Sequence, residues 1–228
     1  MKKLVLLVFI FVASVANAQF TETLSSDRPG QALSVNTVGK NVFQIQAGFD
    51  FPLNNISFTP SSYFRYGISE RLELNSGILF SDSFGFDDVR SLTIGARYSL
   101  TKNNSSTSSS IQASYDIGGD EKNTHVVYIF SSNFNDKLSY TANLGFNVND
   151  DFGELSGLYV FNLSYAINTK VGVFAETFGT FLNSGFELNL DTGVYYLLNN
   201  NLQLDALLGY NNDLFASLGV TWRLPSTK

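Results

Sequence analysis

Residues Val42 to Phe51 read VFQIQAGFDF, and this stretch carries the pattern that decides the fold. Apolar side chains occupy every second position of it: Phe43, Ile45, Ala47, Phe49 and Phe51. Polar or small residues stand between them: Gln44, Gln46, Gly48 and Asp50. Because successive side chains of a β-strand point to opposite faces, one face of this segment is apolar and the other is polar. The stretch therefore predicts a strand that separates an apolar from an aqueous environment.

The same period recurs along the rest of the chain. Clear segments follow at 72–80, 90–100, 109–117, 138–148, 202–210 and 214–224, and weaker ones at 61–68, 125–133, 157–167, 170–181 and 186–197. Many approach the roughly 9–11 residues that a tilted membrane strand needs, whereas ordinary strands average about 5–6 residues. Together they predict an all-β fold, a transmembrane antiparallel up-and-down β-barrel of about 12 strands. The strands of a secreted β-sandwich or a lipocalin-like barrel also alternate apolar and polar residues, so such a fold is the second possibility.

Composition narrows the function classes. The 228 residues contain no cysteine, only 15% are charged, and the formal net charge is −6. These values exclude a disulfide scaffold, a cysteine-based zinc site and a thiol nucleophile, and they argue against binding to nucleic acid. We expect no cofactor.

The first 18 residues have the organisation of a secretory signal peptide. Lys2 and Lys3 precede the apolar run 4–13, and an A-x-A pattern ends at Ala18. The run is too short for a membrane helix, which needs about 20 residues. We expect cleavage after Ala18 and export to the outer membrane of a Gram-negative bacterium. The expected organisation is a signal peptide (1–18), an N-terminal leader or lumen segment (19–40), a barrel (41–224) and a short tail (225–228). Expected partners are outer-membrane lipid and lipopolysaccharide, the outer-membrane assembly machinery, and a small solute that the sequence does not identify.

Residues 19–40 show no period and are rich in Ser, Thr and Gly. Two interpretations stay open for them. The segment is either a periplasmic leader without a role or a short segment folded into the lumen, where Asp27 and Arg28 pair with charges of the wall.

Charged residues lie on the predicted polar face of the strands. Since an Arg or Lys facing lipid at mid-depth costs about 2–4 kcal/mol, we expect them to face the lumen. The inward set is Arg65, Glu73, Arg97, Asp116, Glu176, Asp191, Asp205 and Arg223. These residues either fill a narrow lumen with ion pairs or give a pore its selectivity.

Neither an enzyme nor a metal protein is expected. The chain has one histidine, His125, and no G-x-S-x-G turn, and Ser131 lies about 20 Å along the same strand. We interpret His125 as an isolated residue at the barrel rim. The acidic pairs Asp87-Asp88, Asp120-Glu121 and Asp150-Asp151 lack the spacing of a calcium-binding loop.

Several motifs resemble one known family. Ser26-Asp27-Arg28-Pro29 is followed by the segment Gly39–Phe49, by Arg65-Tyr66-Gly67-Ile68 and by Glu70–Leu74, and later by Val173–Glu176 and Leu204-Asp205-Ala206. Together they resemble the outer-membrane β-barrel family associated with the MetA pathway of phenol degradation, whose members are often called transporters. The resemblance implies an outer-membrane barrel with a transport role and supplies no substrate. We therefore expect a passive or weakly selective channel for small solutes, with a non-conducting structural or interaction barrel as the alternative.

Overall fold

The structure is a computed structural model that describes residues 22–54, 57–81, 88–101, 106–117, 122–149, 153–182 and 185–224. The predicted signal peptide, the tail 225–228 and all or part of each acidic pair named above lie outside these residues. The described chain contains twelve strands: β1 (Phe43–Pro52), β2 (Thr59–Gly67), β3 (Leu72–Phe80), β4 (Val89–Ser99), β5 (Thr107–Ile117), β6 (Asn123–Asn133), β7 (Leu138–Asn149), β8 (Glu154–Ala166), β9 (Val171–Leu182), β10 (Asn189–Asn199), β11 (Leu202–Asn211) and β12 (Asp213–Leu224). None of the described residues forms a helix long and apolar enough to cross a membrane.

The strands form a closed antiparallel barrel. Each strand pairs with its neighbour in sequence, and β1 pairs with β12 in a register that places Phe43 opposite Leu224. Closure leaves no strand edge without a hydrogen-bonding partner, as a barrel in hydrocarbon requires. The predicted twelve-stranded up-and-down barrel is confirmed.

The alternation of the sequence separates the two faces of the wall. Leu74, Leu144 and Leu218 point outward and are exposed by 47%, 55% and 45%. Their neighbours Glu73 and Asn143 point inward and are buried. The apolar face therefore meets lipid, and the charged face lines the lumen.

Two local predictions are wrong. The alternation over 72–80 predicts Phe80 on the exposed apolar face with Leu72, Leu74 and Ile78, but a register shift lies between Leu79 and Phe80, and Phe80 is buried. Because proline lacks an N–H, the sequence predicts that the loop ends at Pro60 and that β2 begins after it, but Pro60 lies within β2, opposite Phe49. The β2–β3 ladder begins only at Ser61, so the N–H that Pro60 lacks is not needed on that side.

The two ends of the barrel differ in their connections. We call the end where β1 begins the turn end, since the connections 68–71, 100–106, 134–137, 167–170 and 200–201 lie there. The opposite end, with connections 53–58, 81–88, 118–122, 150–153, 183–188 and 212, is the loop end.

Candidate functional site

The described part of the N-terminal region, residues 22–42, lies inside the barrel, and we call it the lumen segment. It begins at the turn end, where the Glu22 carbonyl accepts a hydrogen bond from Arg223 (3.0 Å). It crosses the lumen to β9 and β7 and returns to β3, where Glu73 accepts a hydrogen bond from the N–H of Val38 (2.9 Å). A tight turn at 39–42 then joins it to β1. Of the two interpretations left open by the sequence, the structure supports the lumen segment.

Asp27 is held by two arginines of the wall. Arg97 donates to both oxygens of its carboxylate, at 3.1 and 2.9 Å, and Arg65 lies at 3.6 Å. The N–H of Ser34 adds a third hydrogen bond (2.6 Å). Burial disfavours the charged carboxylate, but the two guanidinium groups and these hydrogen bonds outweigh it and hold the pKa of Asp27 below its ordinary value of 3.8.

Every guanidinium nitrogen of the two arginines in this cluster donates at least one hydrogen bond. Arg65 donates to both oxygens of Glu73 (2.8 and 2.9 Å) and to the carbonyls of Ser25 and Asn36. Arg97 also donates to the Gln112 side chain (2.7 Å). Bidentate pairs of this kind are among the stronger hydrogen bonds in proteins, so the cluster fixes the position of the segment as well as its charge.

Arg28 points to a different part of the wall. Its Nε and Nη2 both lie 3.2 Å from Asp205 Oδ1, and Nη2 donates to Ser217 at 2.8 Å. The guanidinium rests on Gly48 and Gly219, which are direct partners across β1 and β12. A Cβ atom at Gly48 would lie 2.5 Å from Arg28 Cζ, and one at Gly219 would overlap the guanidinium. The absence of two side chains thus forms a notch shaped for Arg28, which we call the glycine notch.

Glu176 binds the backbone of the segment. Its carboxylate accepts the N–H of Gln31 (3.1 Å to each oxygen) and that of Ala32 (3.0 Å). Asp191 is its direct partner across β9 and β10, a like-charge pair that is destabilising when both groups are ionised. The Asp191 carboxylate is buried and makes no hydrogen bond of ordinary geometry, although the Gln31 side chain interacts with it.

Asp116 lies apart from the lumen segment. It accepts a hydrogen bond from Thr93 (2.6 Å), and its other oxygen is 3.0 Å from His125 Nε2. Our interpretation of His125 as an isolated residue is therefore wrong. The β5–β6 register places Ser114 directly opposite His125, which brings Asp116, two residues further along β5, within its reach.

All ten predicted site residues thus face the lumen, but they do not form one cluster. Asp27, Arg65, Glu73 and Arg97 form one group, Arg28 and Asp205 a second, and Glu176 and Asp191 a third, while Asp116 and Arg223 lie apart. Their role in selectivity stays a prediction. Among the described residues, no three carboxylate or histidine side chains converge as metal ligands.

Sequence reasoning missed the uncharged members of these groups. Ser217 and Asn143 bind the segment directly, Gln112 binds Arg97, and the glycines at 48 and 219 leave space for Arg28. Their inward positions follow from the alternation, so the signal that they face the lumen was present. Their pairing with particular residues of the segment was not readable, since it depends on how an aperiodic stretch folds inside the barrel.

The segment leaves part of the lumen open. A cavity of about 290 Å³ lies between it and the wall, lined on the wall side by Ser131, Thr141, Asn162, Ser164, Tyr195 and others. At about 30 Å³ for each water, that is room for on the order of ten water molecules. The lumen is therefore narrowed by the segment, with hydrophilic space remaining beside it.

A closed barrel with an apolar outer face and a charged lumen defines the class: a transmembrane β-barrel protein. Residues 26–224 match the family described as "Putative MetA-pathway of phenol degradation", and the chain belongs to that family. Comparison with curated proteins found no match.

Solved structures of porins and channels share the fold. A KdgM porin in complex with disordered oligogalacturonate is 15% identical, with a TM-score of 0.67 over 78% of this chain and 98% of that one. The NanC porin is 8% identical, with a TM-score of 0.61 over 80% of this chain and 100% of that one. The COG4313 outer membrane channel from Pseudomonas putida F1 is 12% identical, with a TM-score of 0.58 over 86% of this chain and 99% of that one. At such identities the likeness concerns the fold.

Proposed function

We propose that this protein is an outer-membrane channel that passes small polar solutes by passive diffusion, and that the lumen segment narrows it. The observation that carries the proposal is a closed barrel with a charged lumen, in which the lumen segment is joined to β1 by a turn and binds the rest of the wall only through noncovalent contacts. A twelve-stranded barrel is wider than the eight-stranded barrels that side chains fill and narrower than a sixteen-stranded porin. Removal of the segment would therefore leave an aqueous path for small solutes.

The charges of the lumen make polyanions poor candidate solutes. The eight charged candidates on the wall are five carboxylates and three guanidinium groups, a formal excess of two negative charges. Each of the three guanidinium groups already binds a carboxylate, a side-chain amide or a backbone carbonyl. The KdgM porin was solved with an acidic oligosaccharide. Here we expect neutral, cationic or dipolar solutes instead.

The alternative function is a non-conducting barrel, and the anchoring of the segment favours it. The segment contacts β1, β2, β3, β4, β7, β9, β11 and β12 through side-chain hydrogen bonds. Contacts spread around most of the circumference leave little freedom to move aside. A barrel plugged in this way would serve a structural or interaction role.

Conductance in planar bilayers separates the two functions. The test compares the intact protein with a variant that lacks residues 22–34 but keeps the turn 39–42. Discrete openings in either protein support the channel, and larger openings in the deletion variant support narrowing by the segment. Silence of both proteins would refute the channel and favour the structural barrel. Swelling of proteoliposomes in solutes of graded size and charge would then define what the channel admits.

A further inference from the structure

Asp27 and Arg28 are adjacent in the chain, but their side chains bind different walls of the lumen. Asp27 binds Arg97 on β4 and lies near Arg65 on β2, whereas Arg28 binds Asp205 on β11 and Ser217 on β12. One negative and one positive group are thus held on different sides of the lumen, each by a group of opposite charge.

Uncompensated negative charge is concentrated on one part of the wall. Strands β8 to β11 contain no Lys or Arg, and three of them carry an inward carboxylate: Glu176, Asp191 and Asp205. The inward arginines Arg65 and Arg97 lie on β2 and β4, and the inward carboxylates Glu73 and Asp116 lie on β3 and β5, so this part of the wall has formally no net charge. In a ring of twelve strands β4 stands opposite β10, so an electric field runs across the lumen from the formally neutral wall around β4 to the acidic wall around β10.

Each wall also has the shape of a binding site. Arg97 presents two parallel N–H groups to the Asp27 carboxylate, the fork geometry that recognises carboxylates. Arg28 lies in the glycine notch with the Asp205 carboxylate and the Ser217 hydroxyl at its edge. If Asp27 and Arg28 left, Arg97 would lose its only carboxylate within 4.0 Å, and Asp205 its only cation within that distance, among the described residues.

We propose that these walls form a binding site for a small zwitterionic solute, which carries a carboxylate and a guanidinium or ammonium group as far apart as in a dipeptide. Asp27 and Arg28 are the tethered occupant of this site. The solute and the tethered pair compete for the same wall groups, so binding of the solute favours withdrawal of the segment. The inference rests on the proposed channel only in that the solute must enter the lumen.

Binding is tested on the full chain in detergent by titration calorimetry. The tethered pair is removed with the double substitution Asp27→Ala and Arg28→Ala, which leaves the wall intact. The probe is the dipeptide N-acetyl-Asp-Arg-amide. The matched controls are N-acetyl-Asn-Arg-amide, which lacks the carboxylate, and N-acetyl-Asp-Gln-amide, which lacks the guanidinium. Heat-modifiable migration on a gel verifies that each variant has formed its barrel.

We expect the double variant to bind the probe. The intact protein should bind it with an affinity lower by a factor of roughly ten or more, because the tethered pair occupies the site. Each control peptide, and the probe on a triple variant that adds Asp205→Asn, should also bind roughly tenfold more weakly, since a charge-assisted hydrogen bond is lost. Equal binding of all three peptides, equal binding to the intact protein, or no binding to the folded double variant would overturn the proposal. Binding without conductance would refute the channel and leave this site standing, and conductance without binding would do the reverse.

Discussion

A single methyl group in the glycine notch should release the lumen segment. The three atoms nearest to a Cβ atom placed at Gly219 would all belong to the Arg28 guanidinium, so Gly219→Ala displaces that group first. Gly48 is less suitable, because a Cβ atom there would also lie 2.6 Å from the carbonyl oxygen of Leu218. The substitution changes no charge.

The size of the effect follows from the bonds that Arg28 would lose. Its side chain is 14% exposed and that of Asp205 is fully buried, so solvent screens the pair little. Hydrogen bonds to charged groups contribute about 1.5–3 kcal/mol, and Arg28 makes them to Asp205 and Ser217. A loss of about 3 kcal/mol shifts the equilibrium between the seated and the withdrawn segment about a hundredfold.

Single-channel recording in planar bilayers measures this shift as the fraction of time that the large openings of the segment-deleted barrel are seen. We expect that fraction to rise about a hundredfold in Gly219→Ala. The matched control is Gly77→Ala on β3, where the added Cβ would lie 3.2 Å from a ring carbon of Tyr63 and would not meet the segment. If Gly219→Ala behaves like Gly77→Ala while both barrels fold, the glycine notch does not hold the segment and the reasoning fails.

Three further predictions use the same barrel. Asp27→Asn keeps the shape of the side chain but removes its charge beside Arg97 and Arg65. The substitution should raise the frequency of large openings by about a hundredfold or more, because it leaves buried arginine charge unpaired. Asp136→Asn, in an exposed turn, is the control and should leave that frequency unchanged. Because the pKa of Asp27 is lowered in the folded state, its stabilising contribution is complete above its ordinary value of 3.8 and is lost only as the pH falls through the lower folded value. The difference in large openings between the unsubstituted protein and Asp27→Asn should therefore stay constant between about pH 5 and 8 and shrink only under more acidic conditions. A difference that changes near neutral pH would contradict this assignment. Leu144→Arg places a charge on the lipid face in the middle of β7 and should lower the free energy of unfolding, measured with urea in lipid vesicles, by about 2–4 kcal/mol. Val148→Arg, near the end of the same strand, should lower it by only about 0–1 kcal/mol. Equal losses would argue against the assigned membrane depth.

The sequence by itself determined the barrel. The period of two is a local property, since each strand's alternation can be read without knowing its neighbours, and lipid on one side with water on the other enforces it residue by residue. The number of strands, their antiparallel order and the inward direction of residues such as Glu73 and Asp205 all follow from it. Phe80 escaped prediction because a register shift depends on the partner strand, β4.

Only the tertiary structure decided what occupies the lumen. The lumen segment has no period, so nothing in its own residues tells where each of them lies. The adjacent residues Asp27 and Arg28 bind strands that are far apart in sequence, and the notch for Arg28 arises where β12 closes onto β1. Such contacts exist only once the ring has closed, because closure brings the first and last strands together and gives the segment an interior to fill.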